Sequence, residues 1–378
     1  MGAHAGIAAW SVELGGDERA CARHIGRRAC QWESWALGVL DGDRLDSGET
    51  PLIQVRLLAA RGVDIYLKDE SAHITGSLKH RLARSLLLYG VCNGRIGPAT
   101  PVVEASSGST AVSVAYFTNA LGLPFHAVMP KSTSTQKLAA IAAYGGDCHL
   151  VERADQIYAE AETLATAVGG VYLDQFTYAE RVSDWRNDNV GAALFEQMRG
   201  QRHPIPSWIV MNLGTGGTAA TIGRFVRYRG HETRVFAVDV EHSAYFECFE
   251  SGDRAARCES ASMIEGVGRP RVEPSFVPEV IDEMIKVPDA ASIAAMRLLS
   301  ERLGRRVGPS TGANFLGVCR VATRMQRQGL AGSVASLICD GGERYIDTCY
   351  DDAWLAARGL DVAPHEHHLR RLIGEVSP

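Results

Sequence analysis

Short apolar runs alternate with longer amphipathic segments along most of this sequence. The runs are rich in β-branched residues, and the longer segments repeat apolar residues at helical spacing. Glycine pairs at 145–146 and 169–170 directly follow two of the helical segments, where a helix is expected to end. Because a helix between two strands lets them lie parallel, this rhythm predicts an α/β fold with parallel-rich sheets flanked by helices. At 378 residues, the chain is long enough for two such domains.

The periodicity also locates individual elements. Predicted strands cover 64–68, 101–105, 125–129, 148–152, 171–175, 207–213, 233–239 and 334–339, and predicted helices begin near 78, 110, 133, 155, 218, 292 and 312. We expect an N-terminal extension at 1–45, domains at 46–184 and 185–350, and a tail at 351–378.

Both ends of the chain are predicted to be peripheral. In the extension, Trp32 and Trp35 are expected to pack on the body or a second subunit, and Asp41-Gly42-Asp43 is typical of a turn. The tail carries His365-Glu-His-His368, which lacks the His-Glu-x-x-His spacing of a zinc site. We therefore expect a solvated tail and no metal.

Composition and charge exclude several partner classes. The net charge of −5 gives no reason to expect nucleic acid or an anionic membrane as a partner. No apolar run is long enough to span a bilayer, and the first residues lack a secretory pattern. The nine cysteines include no Cys-x-x-Cys pair. Reduced thiols in a cytoplasmic protein are the expected state, with Cys339 a core residue.

The loop Gly214-Thr215-Gly216-Gly217-Thr218 follows a predicted strand and opens a predicted helix. Glycines let the backbone approach an anion, and the free N–H groups at a helix start can bind it, which predicts a phosphate site. A structural turn is one alternative. Another is a dinucleotide site, because G-x-G-x-x-A is completed by Ala219, and Asp239 ends the next strand.

Three further features have the chemistry of a reactive site. Turns at Ser106-Ser107-Gly108-Ser109-Thr110 and 308–312 also precede helices, where hydroxyl and N–H groups can bind a carboxylate. Lys79 is predicted in the first turn of a helix, a position that can favour the neutral, nucleophilic amine. Taken singly, the turns could be helix caps and Lys79 a surface lysine.

Considered together, these features resemble the cysteine synthase and cystathionine β-synthase family of pyridoxal-phosphate (PLP) enzymes. The resemblance runs from about residue 50 to about residue 348 and is strongest toward the actinobacterial L-cysteine desulfhydrase branch. Its motifs are Lys68 to Arg81, Glu104 to Ala111, Asp174 to Arg181, and Trp185 to Asn187. It implies the tryptophan-synthase-β-like fold, PLP fold type II, and a homodimer.

The resemblance also implies roles for individual residues. Lys79 would be the catalytic lysine that holds PLP, Ser310 would face the pyridine nitrogen, and Gly266 would lie near the substrate amine. Cofactor binding falls on Lys79, Ser109, Gly214, Thr215, Gly216, Gly217, Thr218 and Ser310, and substrate binding on Ser106, Ser107, Gly108, Thr110, Gln175 and Gly266.

The sequence departs from the synthases at several of these motifs. Ser109 replaces an Asn that contacts the cofactor's ring hydroxyl, and His73-Ile74 replaces an Asn-Pro. These departures argue against an acetylserine sulfhydrylase more than they argue against PLP as the cofactor. The predicted reaction is β-elimination on L-cysteine or a related β-substituted alanine through an aminoacrylate, giving sulfide, pyruvate and ammonia. A β-replacement synthase is the alternative, with a nicotinamide oxidoreductase and a non-catalytic relative as more distant ones.

Overall fold

Strands form two separate sheets in the computed structural model, which describes residues 31–45, 48–57, 60 and 62–375. The strands are β1 (Leu52–Val55), β2 (Val63–Asp69), β3 (Val102–Ala105), β4 (Phe125–Pro130), β5 (Asp147–Val151), β6 (Val171–Tyr172), β7 (Trp208–Asn212), β8 (Arg234–Val240), β9 (Glu283–Val287) and β10 (Gly332–Ile338).

Helices connect the strands and cover the faces of both sheets. They are α1 (31–45), α2 (Lys79–Cys92), α3 (Ser109–Ala120), α4 (Thr135–Ala142), α5 (Ile157–Ala167), α6 (Gln175–Val182), α7 (Val190–Met198), α8 (Gly217–Arg229), α9 (Tyr245–Ser251), α10 (Asp289–Leu303), α11 (Pro309–Arg327), α12 (Asp352–Ala356) and α13 (Ala363–Leu372). None of these helices is both long and apolar enough to cross a membrane.

The larger sheet has the strand order β1-β2-β10-β7-β8-β9, and the smaller has β5-β4-β3-β6. All neighbouring pairs are parallel except β1 and β2, which a short connection joins in antiparallel order. The predicted α/β class with parallel-rich sheets is therefore confirmed.

The central strands of each sheet are apolar on both faces, because helices cover both. In β2, Ile65 and Leu67 pack in the cluster that contains α10 and α11, whereas Tyr66 points to the opposite cluster with α7 and α8. This two-residue alternation with burial on both sides explains the near-continuous apolar strands in the sequence.

The sequence-predicted strand at 171–175 is too long. The strand β6 ends at Tyr172, and Asp174 adopts a left-handed conformation with φ +52°. The Asp174 side chain accepts a hydrogen bond from the Thr177 N–H at 3.1 Å and so begins α6. Gln175 is therefore the first residue of a helix.

The N-terminal extension contains a regular helix where a turn was predicted. Residues 31–45 are helical, so the turn prediction at Asp41-Gly42-Asp43 is wrong. Ala36 and Leu40, four residues apart, are buried with α2 and α3, and this packing outweighs the turn tendency of the sequence. Trp32 packs on the same cluster as predicted, while Trp35 is 48% exposed.

The domain boundaries predicted from sequence remain a prediction, and sheet membership does not follow them throughout. The strands β1 and β2 lie within the predicted domain 46–184, yet β2 pairs with β10 in the larger sheet. The smaller sheet, β3 to β6, lies entirely within 102–172.

The end of the chain is not the solvated tail that was predicted. Leu369 and Ile373 are buried in the cluster that contains α10 and α11, because an i, i+4 apolar pair gives α13 one apolar face. His367 and His368 point to solvent. Within the described residues, no group of three His, Cys, Asp or Glu side chains is placed to hold a metal ion.

Replacing Leu369 tests whether α13 is part of the cooperative fold. Leu369 is 1% exposed, so Leu369→Ala should lower the free energy of unfolding by about 2–5 kcal/mol, measured by urea denaturation. The control Leu330→Ala, at a residue that is 52% exposed, should change it by less than about 0.5 kcal/mol. Equal small effects would mean that α13 does not contribute to the fold.

Candidate active site

A cavity of about 310 Å³ lies where the carboxyl ends of β3, β7 and β10 meet. Loops after parallel strands converge at this edge of a sheet, which is the usual position of a ligand site. The cavity brings together nearly all of the site residues predicted from sequence, namely Lys79, Ser106, Ser107, Gly108, Ser109, Thr110, Gln175, Gly214, Thr215, Gly216, Thr218, Gly266 and Ser310. Gly217 lies just behind this wall, against Ala179.

Lys79 is the first residue of α2, as predicted. Its backbone N–H donates to Ser77 Oγ at 3.3 Å, and the Leu78 N–H donates to the Cys339 carbonyl at 2.8 Å. Burial lowers the pKa of Lys79, while the nearby Cys339 and Asp340 oppose that shift. The amine therefore takes its neutral form more readily than an exposed lysine amine would.

The glycine loop before α8 approaches its surroundings too closely for side chains. Gly216 has φ +88°, and a Cβ there would lie 2.7 Å from the Ser275 carbonyl oxygen. A Cβ at Gly214 would overlap the Gly266 carbonyl and lie 3.8 Å from Lys79 Nζ. The loop thus brings its backbone and the N-terminal end of α8 to the cavity beside the lysine amine, which is the arrangement that binds a phosphate.

The serine-rich turn before α3 forms the opposite wall. Thr110 Oγ1 donates to Gln175 Oε1 at 2.8 Å, and Gln175 Nε2 donates to Glu104 Oε1 at 3.1 Å. Ser109 Oγ accepts from Arg344 Nη1 at 2.8 Å. Hydroxyl groups and the start of α3 therefore face the cavity in a fixed arrangement suited to a carboxylate.

Glu104 was not predicted as part of the site. It is fully buried at the end of β3, and burial raises its pKa to about 8. Its hydrogen bond to Gln175 orients that amide. The sequence did carry a signal for this residue, because Glu104 is a charged residue in an otherwise apolar strand that leads into the serine-rich turn.

Asp340 and Tyr345, which contact each other next to Ser310, were also not predicted from sequence. Ser310 Oγ donates to Asp340 Oδ1 at 3.4 Å, and the Tyr345 hydroxyl donates to Asp340 Oδ2 at 2.6 Å. Burial raises the pKa of Asp340 to about 6. Cys339 is buried as predicted, but it also lines the cavity, and burial raises its pKa to about 11. Cys339 and Asp340 directly follow β10, so their position at a strand's carboxyl end could have indicated them.

Charged side chains lie on the outer part of the cavity. Lys137 from α4 forms an ion pair with Glu265 at 2.6 Å, and Arg269 stacks over Phe176 with its guanidinium carbon 4.2 Å from the ring centre. His242 also lines this part. Lys137 and Arg269 therefore add cationic side chains to the lining of the cavity besides Lys79.

The position of Asp239 does not support the alternative of a dinucleotide site. Asp239 is fully buried and accepts a hydrogen bond from the Phe246 N–H at 2.9 Å. This carboxylate is used inside the fold at the start of α9, so it does not face a ribose in the cavity.

The residues present fit PLP. The loop 214–218 supplies a backbone cradle for a phosphate, and Lys79 supplies a buried amine with a lowered pKa beside it. Ser310 lines the same cavity and offers a neutral hydroxyl.

Comparisons with known proteins agree with this site. Residues 44–340 match the protein family "Pyridoxal-phosphate dependent enzyme". The chain is 55% identical over 337 residues to L-cysteine desulfhydrase Cds1 of Mycobacterium tuberculosis, covering 88% of this chain and 92% of the relative. It is 32% identical to an N-(2-amino-2-carboxyethyl)-L-glutamate synthase of Ralstonia nicotianae, over 82% of this chain and 89% of the relative.

Solved structures show the same architecture. The crystal structure of O-ureido-L-serine synthase superposes with a TM-score of 0.71 at 26% identity, over 84% of this chain and 98% of that one. A hydrogen sulfide-producing enzyme of Fusobacterium nucleatum has the same fold, with a TM-score of 0.71 at 22% identity over 81% of this chain and 90% of that one. The chain belongs to the family of pyridoxal-phosphate dependent enzymes.

Proposed function

We propose that this enzyme catalyses PLP-dependent β-elimination on L-cysteine or a related β-substituted alanine. The observation that carries the proposal is that one buried lysine and two turns at helix starts, 106–110 and 214–218, line the same cavity. The substrate class follows from the 55% identity to an L-cysteine desulfhydrase. With L-cysteine, the reaction consumes one water and releases hydrogen sulfide, pyruvate and ammonia.

We propose four binding regions within the site. We assign the cofactor phosphate to the loop 214–218, and the substrate carboxylate to the turn 106–110 together with Gln175. Ser310 is assigned to the pyridine nitrogen of PLP and Gly266 to the surroundings of the substrate amine. When bound, PLP supplies the electron sink for the charge that develops at the substrate's Cα.

Lys79 has two roles in this proposal. It anchors PLP covalently in the resting enzyme, and its amine then takes the Cα proton of the bound substrate. A base must be unprotonated to accept that proton, and burial lowers the pKa of this amine. The same lysine can return a proton later because it stays next to the reacting atoms.

A β-replacement reaction is the second candidate. Lys137, Arg269 and His242 line the outer cavity, where they could receive an anionic nucleophile. Among the relatives, the N-(2-amino-2-carboxyethyl)-L-glutamate synthase has a name that fits such a reaction. This alternative shares the cofactor and Lys79 with the elimination.

We further propose a cytoplasmic homodimer, as the family resemblance implies. The cysteines within the described ranges form no disulfides, which fits a reducing compartment. Light scattering of the purified enzyme measures the oligomeric state directly.

The products distinguish the two candidate reactions. Incubation with L-cysteine alone should release sulfide and pyruvate in equal amounts, measured by methylene blue formation and by a lactate dehydrogenase assay. O-Acetylserine and O-phosphoserine, each tested with and without sulfide, are the comparison substrates. A new amino acid formed only when a second substrate is present, with no sulfide from cysteine alone, would favour replacement.

Replacing Lys79 tests its assignment. Lys79→Ala should reduce kcat by at least about 10³-fold, because both the covalent anchor and the base are lost. In the wild type, borohydride should fix PLP on the peptide that contains Lys79, detected by mass spectrometry. Lys131→Ala, at an exposed lysine, is the matched control and should keep full activity and labelling. Labelling of a different lysine would contradict the assignment.

Replacing Gly216 tests the phosphate cradle. Gly216 and Gly230 lie at opposite ends of α8 with φ +88° and +66°, but a Cβ at Gly230 meets no atom within 4 Å. Both alanine variants should lose about 1–2 kcal/mol of stability from the left-handed backbone. Gly216→Ala should lose more than Gly230→Ala, because its Cβ would also clash with the Ser275 carbonyl oxygen. Only Gly216→Ala should weaken PLP binding, measured as the Kd in fluorescence titration of the apoenzyme. An equal Kd for the two variants would exclude this loop as the phosphate site.

A further inference from the structure

Asp43, near the end of α1, forms hydrogen bonds to two helices of the site. Its Oδ2 lies 2.8 Å from His80 Nε2 on α2, and its Oδ1 accepts from the Tyr116 hydroxyl on α3 at 3.0 Å. His80 directly follows Lys79 and is 2% exposed. One carboxylate therefore links the helix that begins with Lys79 to the helix that begins at the serine-rich turn.

The hydrogen bonds continue on the other side of the imidazole. His80 Nδ1 lies 3.2 Å from Thr75 Oγ1, and Thr75 Oγ1 lies 3.0 Å from Ser113 Oγ on α3. A carboxylate can only accept, so the proton of a neutral His80 belongs on Nε2, and Nδ1 accepts from Thr75. With that tautomer, Ser113 donates to Thr75, and every hydrogen bond in the chain has one donor and one acceptor.

Aromatic packing holds the imidazole in place. The His80 ring stacks on His73 with ring centres 4.7 Å apart and lies 4.7 Å from Phe117 of α3. The charged or titratable groups around it are Asp43 from α1, His73 from the preceding loop, Arg84 from α2 and Tyr116 from α3. Burial lowers the pKa of His80, although Asp43 opposes the shift, so the neutral ring fits these surroundings.

A buried acid–imidazole pair gives little net stability, because desolvation offsets the attraction between the groups. Hydrogen bonds are directional, however. They therefore restrict the rotation of a helix about its axis, and its shift along that axis, more narrowly than apolar contacts do. The hydrogen bond that the Lys79 N–H donates to Ser77 Oγ stays within this end of α2, and the N-cap residue Leu78 makes no side-chain hydrogen bond there. The side chain of His80 is therefore well placed to orient this end of α2.

We propose that Asp43 is a positioning residue, which holds the start of α2 against Tyr116 of α3 so that the Lys79 amine faces the carboxylate-binding turn. The inference rests on the proposed function of Lys79. It gives α1 a role in the reaction, although α1 does not line the cavity. Helix α1 would act on the Lys79 end of the site through the hydrogen bond between Asp43 and His80.

Kinetics of three variants test the proposal. Asp43→Ala should lower kcat for L-cysteine by about 10- to 100-fold with KM nearly unchanged, because a displaced base affects the transition state more than binding. Asp43→Asn should recover most of kcat, since its amide oxygen can still accept from His80. The control Asp41→Ala, at an exposed residue of the same helix, should match the wild type.

A readout independent of turnover accompanies the kinetics. The resting holoenzymes are treated with borohydride, and the rate of PLP fixation on Lys79 is followed by mass spectrometry, alongside thermal unfolding. Slower fixation in Asp43→Ala than in Asp43→Asn supports the proposal. A lower melting temperature with unchanged kcat and fixation rate would show a purely structural role and overturn it.

Two further outcomes remain informative. If Asp43→Ala does not fold, Tyr116→Phe removes one hydrogen bond to Asp43 and should lower kcat by about fivefold. An unchanged kcat in that variant would overturn the proposal. Absence of PLP on Lys79 in the wild type would instead contradict the proposed function, so the two failures are distinguishable.

Discussion

The position of Lys79 depends on how the chain crosses from one sheet to the other. The strand β2 lies in the larger sheet, whereas α2 packs on the smaller one, and residues 70–78 make the crossing. The Leu78 N–H donates to the Cys339 carbonyl, and the Gly341 N–H donates to the Gly76 carbonyl at 3.2 Å. These bonds tie the crossing to the end of β10. The lysine thus stands at the junction of the two sheets, where loops from both can reach it.

Close backbone packing produces the rest of the site. Gly214 and Gly216 let two loops approach to distances that no side chain would permit, and Gly266 contributes a carbonyl to the same contact. A wall made of backbone presents N–H groups at a low cost in side-chain entropy, and its geometry is fixed by the strands that precede it. Hydroxyl and amide groups from the smaller sheet then complete the cavity on the opposite side. Because one wall comes from each sheet, the cavity lies between the carboxyl ends of the two sheets.

Much of the fold was predictable because local patterns and tertiary packing agree over most of the chain. The strands β2, β4 and β8 and the helices α2, α3 and α8 lie within a few residues of their predicted positions. The predictions were wrong where a short polar sequence is compatible with two local structures. Asp41-Gly42-Asp43 is compatible with a turn, but burial of Leu40 continues the helix. In the last segment, His-rich composition suggested solvent exposure, but Leu369 and Ile373 bury one face of α13.

The sequence by itself determined much of the element order, the glycine- and hydroxyl-containing starts of three helices, and the lysine at a helix start, because these follow from residue type and spacing. It did not show β1 and β9, and residues 309–312, predicted as a turn, are the start of α11. Only the tertiary structure decided that β1 and β2 join the larger sheet and that Asp340 lies under Ser310. It also decided the lowered pKa of Lys79 and the raised pKa of Glu104. Pairing between strands distant in sequence depends on which surfaces meet, and desolvation depends on the atoms that surround a group. Neither quantity is encoded in a local window of the chain.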